Sequence, residues 1–277
     1  MAYPEWWKEW LQQNYHKVKD VEPLVLAEIK DTLLQTNLAV IIEPRKHELL
    51  KWVCWNFMNS LNTAPLSGSF PSSSSSLNSG SSPSSRWELC VVHGSENGEF
   101  VKSELNELEK YVTIHYYELP FSNMNEPMYN GLLTNKSFWE TLPTDAEHLL
   151  IFQTDTILLK GDLTPFLDYD FVGAMWKDNH PHGANGGLSL RKRSAMIRVC
   201  SYMKFDPKIH GNEDGYFTLH AANMGLVRLP TTELGMEEGN RVKCRFSMET
   251  VYSKDCCGMH KPYDHLPSDL IKEVLKR

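Results

Sequence analysis

A chain of 277 residues with 41% apolar and 23% charged side chains can bury a sizeable core, as one large α/β domain or two small ones. A formal charge of −7 excludes a protein that holds nucleic acid through a broad basic face, and the run Arg191-Lys192-Arg193 is too short to reverse that. No apolar segment approaches the length of a membrane span and no secretory apolar core opens the chain, so a soluble cytoplasmic protein is the expectation.

Residues 5–35 have helical spacing, with Trp7, Trp10 and Leu11, then Leu26, Ile29 and Leu33 in a second helix opened by Pro23. Three of the eight tryptophans, Trp6, Trp7 and Trp10, fall in the first helix, which is expected to pack on its own domain. Leu38–Ile42 is a β-rich run, Glu43-Pro44-Arg45 a turn, and Leu50, Val53, Cys54, Phe57 and Leu61 one face of a helix; this strand-turn-helix opens a βαβ fold. Residues 67–85 are mostly Ser with Gly and Pro, which cannot bury enough surface to offset ordering, and read as a disordered insertion.

Strands are expected again at Trp87–Val92, ending in His93-Gly94, and at Val112–Leu119, with a short helix on Val101, Leu105 and Leu108 between them. A helical stretch around Met128–Trp139 leads to a central strand at 148–155, then a strand at Phe171–Ala174 and a helix striped by Met196, Val199, Cys200 and Met203. Phe246 and Met248 suggest one more strand, and a C-terminal helix follows at 268–276 with Ser268 as its cap. Alternating strands and helices imply a mainly parallel sheet with helices on both faces. The six cysteines form no C-x-x-C pair, which speaks against a zinc ribbon; Cys54, Cys90 and Cys200 read as core residues and Cys256-Cys257 as reduced loop thiols.

The central strand carries the most chemistry. Leu149–Phe152 is apolar without alternation and turns polar at Gln153-Thr154-Asp155, which places Asp155 at a strand tip, where open α/β sheets bind ligands. A carboxylate there can hold a divalent metal against a diphosphate, or simply cap a turn. Asn185-Gly186-Gly187 precedes the run Leu188-Ser189-Leu190, and its paired glycines would let backbone approach a ligand or form a plain turn. The acid pair Glu213-Asp214 lies between Gly211-Asn212 and Tyr216-Phe217, either in a strand, where only one acid would face a substrate, or at a helix start. His260 sits in a Gly-rich turn before Pro262, and Glu249 is an unassigned acid in a strand pattern.

The order of these motifs resembles a largely uncharacterised family of predicted GT-A-type glycosyltransferases with microbial and large-DNA-virus members. The segments that carry it are the strand-turn-helix, Phe152–Asp155, Tyr169–Trp176, Asn185–Arg191, Glu213–Phe217 and His260–Pro262, so it covers roughly residues 38–265. It implies an α/β, GT-A-like fold in a single domain over 38–265, which the helices read from spacing flank as N-terminal helices over 1–37 and a C-terminal helix over 266–277. The activity it implies is inverting, metal-assisted transfer from a nucleotide-diphosphate sugar to a carbohydrate or glycoconjugate acceptor. By this likeness Asp155 and His260 would hold the metal, Mn²⁺ rather than Mg²⁺ because an imidazole suits manganese better. The family pattern Asp-x-Asp reads Gln153-Thr154-Asp155 here, so the first acid is missing.

Inverting galactosyltransferases carry a similar Glu-Asp pair, which makes Asp214 the general base and Glu213 a sugar contact, with roles that could be exchanged. Trp176, Asn185, Gly186 and Gly187 would hold a sugar by stacking and amide hydrogen bonds. Arg45, His93, Tyr129, Asn130, Gln153, Thr154 and Lys261 are the candidate contacts to the nucleotide and its phosphates. A non-catalytic nucleotide-sugar or carbohydrate-binding protein is the alternative. A nucleotidyltransferase would call for a Gly-rich phosphate loop, which Glu43-Pro44-Arg45-Lys46 is not.

Overall fold

The computed structural model describes residues 3–19, 36–63, 86–177, 180 and 182–276; the expected second N-terminal helix and the Ser-rich stretch lie outside them. In chain order the first half comprises α1 (Glu5–Lys19), β1 (Thr36–Ile42), α2 (Leu50–Thr63), β2 (Arg86–His93), α3 (Gly98–Leu105), β3 (Ile114–Glu118), α4 (Glu126–Leu133), α5 (Lys136–Thr141) and β4 (His148–Phe152). The second half comprises β5 (Thr156–Leu158), β6 (Phe171–Met175), β7 (Ala184–Lys192), α6 (Arg193–Tyr202), α7 (Pro207–His210), α8 (Glu213–Gly215), α9 (Pro230–Leu234), α10 (Met236–Phe246), β8 (Ser247–Met248), β9 (Gly258–His260) and α11 (Ser268–Leu275).

A six-stranded sheet has the order β3-β2-β1-β4-β7-β6, parallel from β3 to β4 and antiparallel at β7. Its central strands β1 and β4 are apolar and buried on both faces, because helices cover both. Ala39 and Ile41 of β1 join Phe57, Leu105 and Ile271 on one side, and Leu38, Val40 and Ile42 join Trp139, Met196 and Phe217 on the other. The Phe57 and Phe152 rings stack 4.0 Å apart in the first layer. The same layer takes Ile157, Met248 and Met259 from a small second sheet, β5-β9-β8, so one core serves both sheets in a single domain. Trp7 is fully buried against Tyr263, and the Trp10 indole donates to the Leu275 carbonyl, which seats α1 on its own domain as expected.

Several boundaries differ from the sequence reading. The helical stretch near Met128–Trp139 is two helices, because the Asn135 side chain accepts from Ser137 N–H at 2.9 Å and starts α5 afresh. The central strand stops at Phe152, and Thr156 begins a strand of the second sheet. Phe246 ends a helix rather than lying in a strand, Glu249 falls just past the two-residue β8, and Ser268 is the first residue of α11, preceded by Pro267 as its cap. Asn185-Gly186-Gly187 is no turn; it belongs to the nine-residue β7. His260 likewise closes a short strand. All six cysteines are free, and among the described residues no helix is long and apolar enough to cross a membrane.

Candidate active site

The sheet order turns at β1 and β4, and the crevice beyond their carboxyl ends is where such sheets place ligands. Gln153–Asp155 follows β4 there. Because β7 runs antiparallel with Ile151 opposite Ser189, continuing that register carries Asn185–Gly187 up to the same end. Strand β9 arrives from the second sheet with Thr156 opposite His260, and Lys261 N–H donates to the Asp155 carbonyl at 2.9 Å.

His260 is the hub of this end. It is 2% exposed, with Nε2 3.2 Å from Gln153 Oε1 and 3.5 Å from Asp155 Oδ1, and Nδ1 3.2 Å from Glu249 Oε1. Burial disfavours its charged form, but the Asp155 and Glu249 carboxylates outweigh that and push His260 up to about 9. Burial would raise Asp155 in turn, yet the nearby His260 charge, with that of Lys261, holds it below the usual carboxylate range. Gly187 is glycine because a Cβ there would stand 2.4 Å from His260 Nε2.

Gly186 serves the neighbouring acid: its Cβ would fall 2.1 Å from Glu213 Oε1 and 2.8 Å from Arg191 Nη2. Arg191, from the short basic run Arg191-Lys192-Arg193, is fully buried and grips both Glu213 oxygens at 2.9 and 3.1 Å. Its guanidinium lies over the Phe171 ring, 4.6 Å from the centroid. Asn130 Oδ1 accepts from Glu213 N–H at 3.2 Å. The pair Glu213-Asp214 thus opens a short helix rather than lying in a strand, and Glu213 has both oxygens engaged.

Asp214 is 9% exposed, and Oδ1 accepts from Gly215 N–H at 2.9 Å. Burial first, then the Glu213 charge, pushes its carboxyl up to about 7 against the Gly215 and Gly186 amides and Arg191. Trp176 packs so close to Gly183 that a Cβ there would lie 2.2 Å from its ring, and the same indole reaches towards Gly215. Beside it lies a cavity of about 320 Å³ lined by Trp176, Lys177, Glu249, Thr250 and His265.

The β1 end forms a second, adjoining group. Arg45, 56% exposed, makes a two-pronged pair with buried Glu43 at 2.7 Å, and the Asn97 amide donates to the Glu43 and Arg45 carbonyls to hold this turn. Thr154 Oγ1 is 3.3 Å from Nε2 of His47, whose Nδ1 accepts from Leu49 N–H. His93 lies farther out, at the end of β2, its Nδ1 2.8 Å from the Gly94 carbonyl. The buried Tyr129 hydroxyl has no hydrogen-bond partner, and burial raises it. The tertiary structure therefore gathers Gln153, Asp155, Asn185, Gly186, Gly187, Glu213, Asp214, Trp176 and His260 at one end, with Arg45 and Thr154 beside them and His93 apart. Sequence reasoning passed over His47, Glu43 and Arg191; only the position of Glu43 and His47 after a strand could have flagged the first two.

Lys261 has φ 29° and ψ 50°, a left-handed conformation that costs a bulky residue energy. Lys261→Gly is expected to raise stability by roughly 1 kcal/mol in urea unfolding. A loss of stability would show that the lysine side chain holds the fold.

A family model matches residues 112–262, more than half of the 277. The chain belongs to the family described as protein of unknown function DUF5672. That family description carries no activity. No curated protein matches by sequence. Among solved structures, the chain is similar to a mannosyltransferase from Pyrobaculum calidifontis in complex with GDP-Man and Mn²⁺, at 12% identity and TM-score 0.44, covering 80% of this chain and 62% of that one. It is similar to TarS from S. aureus at 12% and 0.38, covering 67% and 55%, and to mouse xyloside xylosyltransferase 1 at 12% and 0.42, covering 69% and 83%. The likeness is one of general architecture and says nothing of substrate.

Proposed function

We propose that this protein transfers a glycosyl group from a nucleotide-diphosphate sugar to an acceptor hydroxyl, with inversion. The observation that carries the reading is a buried carboxylate, Asp214, which burial pushes up to about 7 and which the Gly186 amide faces, one residue before the Gly187 that lies against His260. A base poised near 7 suits removal of a proton from an attacking hydroxyl. Asp214 would take that proton, while the Arg191–Glu213 pair fixes the helix start that carries it. Trp176 and the cavity beside it would hold the acceptor ring, and Arg45 and Lys261 would face the donor phosphates.

A divalent cation fits the donor end in an open form. Asp155 Oδ1 is buried without a hydrogen-bond partner, and His260 Nε2 faces it from 3.5 Å. Among the described residues no three acidic, histidine or cysteine side chains converge as a closed metal cage. An open pair completed by phosphate oxygens and water is the usual form for Mg²⁺ and suits Mn²⁺ with its imidazole ligand. Asp155 and His260 would hold the ion, which would neutralise charge on the departing diphosphate.

The alternative, a protein that binds nucleotide sugars without turning them over, is favoured by one feature: Gln153 stands where an acid would complete the metal site, and its oxygen is engaged by His260. Thermal unfolding against UDP-, GDP- and dTDP-sugars, with and without Mn²⁺, tests the donor site. A ligand at 100 times its dissociation constant stabilises by about 2.7 kcal/mol, several degrees for a domain this size. A Mn²⁺-dependent shift with one donor, lost in Asp155→Ala, is expected. No shift with any donor would sink both readings; a shift without turnover would leave the binding protein.

A further inference from the structure

We propose that Glu249 is a positioning residue that fixes the His260 ring so that Nε2 faces Asp155; this rests on the reading of Asp155 and His260 as holders of the donor's metal. Glu249 lies just beyond β8, 4% exposed, in a place where a carboxylate is costly unless a partner compensates it. Its Oε2 has no hydrogen-bond partner, which makes the placement expensive for a purely structural side chain. The Oε1 atom meets two groups: it accepts from Asn185 Nδ2 at 3.2 Å and lies 3.2 Å from His260 Nδ1.

The chain of contacts has a direction. Asn185 Oδ1 accepts from Gly187 N–H at 2.6 Å, so β7 backbone orients Asn185, Asn185 orients Glu249, and Glu249 faces the ring nitrogen that points away from Asp155. Gly187 lies against the ring itself, with its missing Cβ 2.4–2.9 Å from three ring atoms. Glu249 Oε1 lies within ion-pair distance of Nδ1, though not in line for a hydrogen bond, and glycine backbone lies against the ring, so the ring has one favoured seat, with Nε2 towards Gln153 and Asp155. A carboxylate on the far nitrogen of a ligating histidine sets its tautomer and strengthens it as a ligand, and losing such a partner typically lowers metal affinity 10–100-fold.

The test titrates Mn²⁺ in the presence of UDP, and separately of GDP, into wild type, Glu249→Ala, Glu249→Gln and His260→Ala, following free Mn²⁺ by electron paramagnetic resonance. The metal-free proteins, labelled with ¹⁵N-histidine, are examined for the downfield Nδ1–H resonance of His260. Glu249→Ala is expected to bind Mn²⁺ on the order of 10–100-fold more weakly and to lose the resonance. Glu249→Gln, which keeps an oxygen for Nδ1–H, is expected to lose less affinity and to retain the resonance at higher field. Wild-type affinity in Glu249→Ala, with binding lost in His260→Ala, would overturn the role of Glu249 and leave the metal reading standing. If wild type binds no Mn²⁺ with either nucleotide, the metal reading falls and this inference with it. Should Glu249→Ala not fold, an unmoved resonance in Glu249→Gln is itself enough to overturn the proposal.

Discussion

Asp214→Asn is expected to lower transfer by 10²–10⁴-fold while leaving donor affinity, read by thermal shift, where it was. The amide keeps the size of the side chain and an oxygen for Gly215 N–H, but it cannot take a proton. In the wild type the rate should climb about tenfold per pH unit below about 7, where Asp214 is protonated, and level off above it. Stability should run the other way. The folded-state value is raised from 3.8 to about 7, so the native state binds this proton more tightly than the unfolded chain. The resulting stability is fully present below 3.8 and is lost as pH rises to about 7. Asp214→Asn, neutral throughout, should therefore be more stable than wild type at pH 8 by up to about 4 kcal/mol, an advantage that shrinks as pH falls and vanishes near 4. Urea unfolding at pH 5 and 8 measures it. Equal stability at both pH values would show that Asp214 is an ordinary solvated acid and would remove the base from the proposed mechanism.

Arg191→Ala is expected to be the most damaging single change for the fold, by about 3–5 kcal/mol, or roughly 10 °C in melting temperature. The loss has two parts. Glu213 would be left buried with its charge uncompensated, and the aromatic slot between Phe171, Phe217 and Trp139 would lose its filling. The double variant Arg191→Met with Glu213→Leu should recover most of that stability, since an apolar pair can replace a buried ion pair at little cost. It would still lose transfer if the pair serves to hold the start of α8 and so Asp214. A cost below about 1 kcal/mol for Arg191→Ala would mean that water reaches the pair. Full activity in the double variant would mean that the helix start needs no such clamp.

The parts of the fold legible in the sequence are those coded by neighbours. Strands β1, β2 and β4 announced themselves as apolar runs, because a strand covered on both faces has no polar positions to spare. Helix α2 showed its stripe for the complementary reason, one face in the core and the other partly open. Asp155 could be placed at a strand end from that run alone. The long strand β7 could not, because glycine is a poor strand former, and Gly186 and Gly187 are glycine on account of Glu213 and His260, far along the chain. A three-residue strand such as β9 offers too few positions for alternation to register, so His260 read as part of a turn. No role for Arg191 is legible in the sequence, because nothing local distinguishes a cation destined for a buried carboxylate 22 residues on.

The sequence by itself determined an α/β chain with a mainly parallel sheet, a seated N-terminal helix and an acid at the tip of the central strand. Those features follow from periodicity and apolar content, which act over a few residues. Only the tertiary structure decided that Arg191 closes on Glu213, that Asp214 is left buried and raised, and that Glu249, His260, Gln153 and Asp155 meet at one end of the sheet. Pairings of this kind depend on which strands lie side by side and in what register, and charge is then priced by the burial that packing imposes.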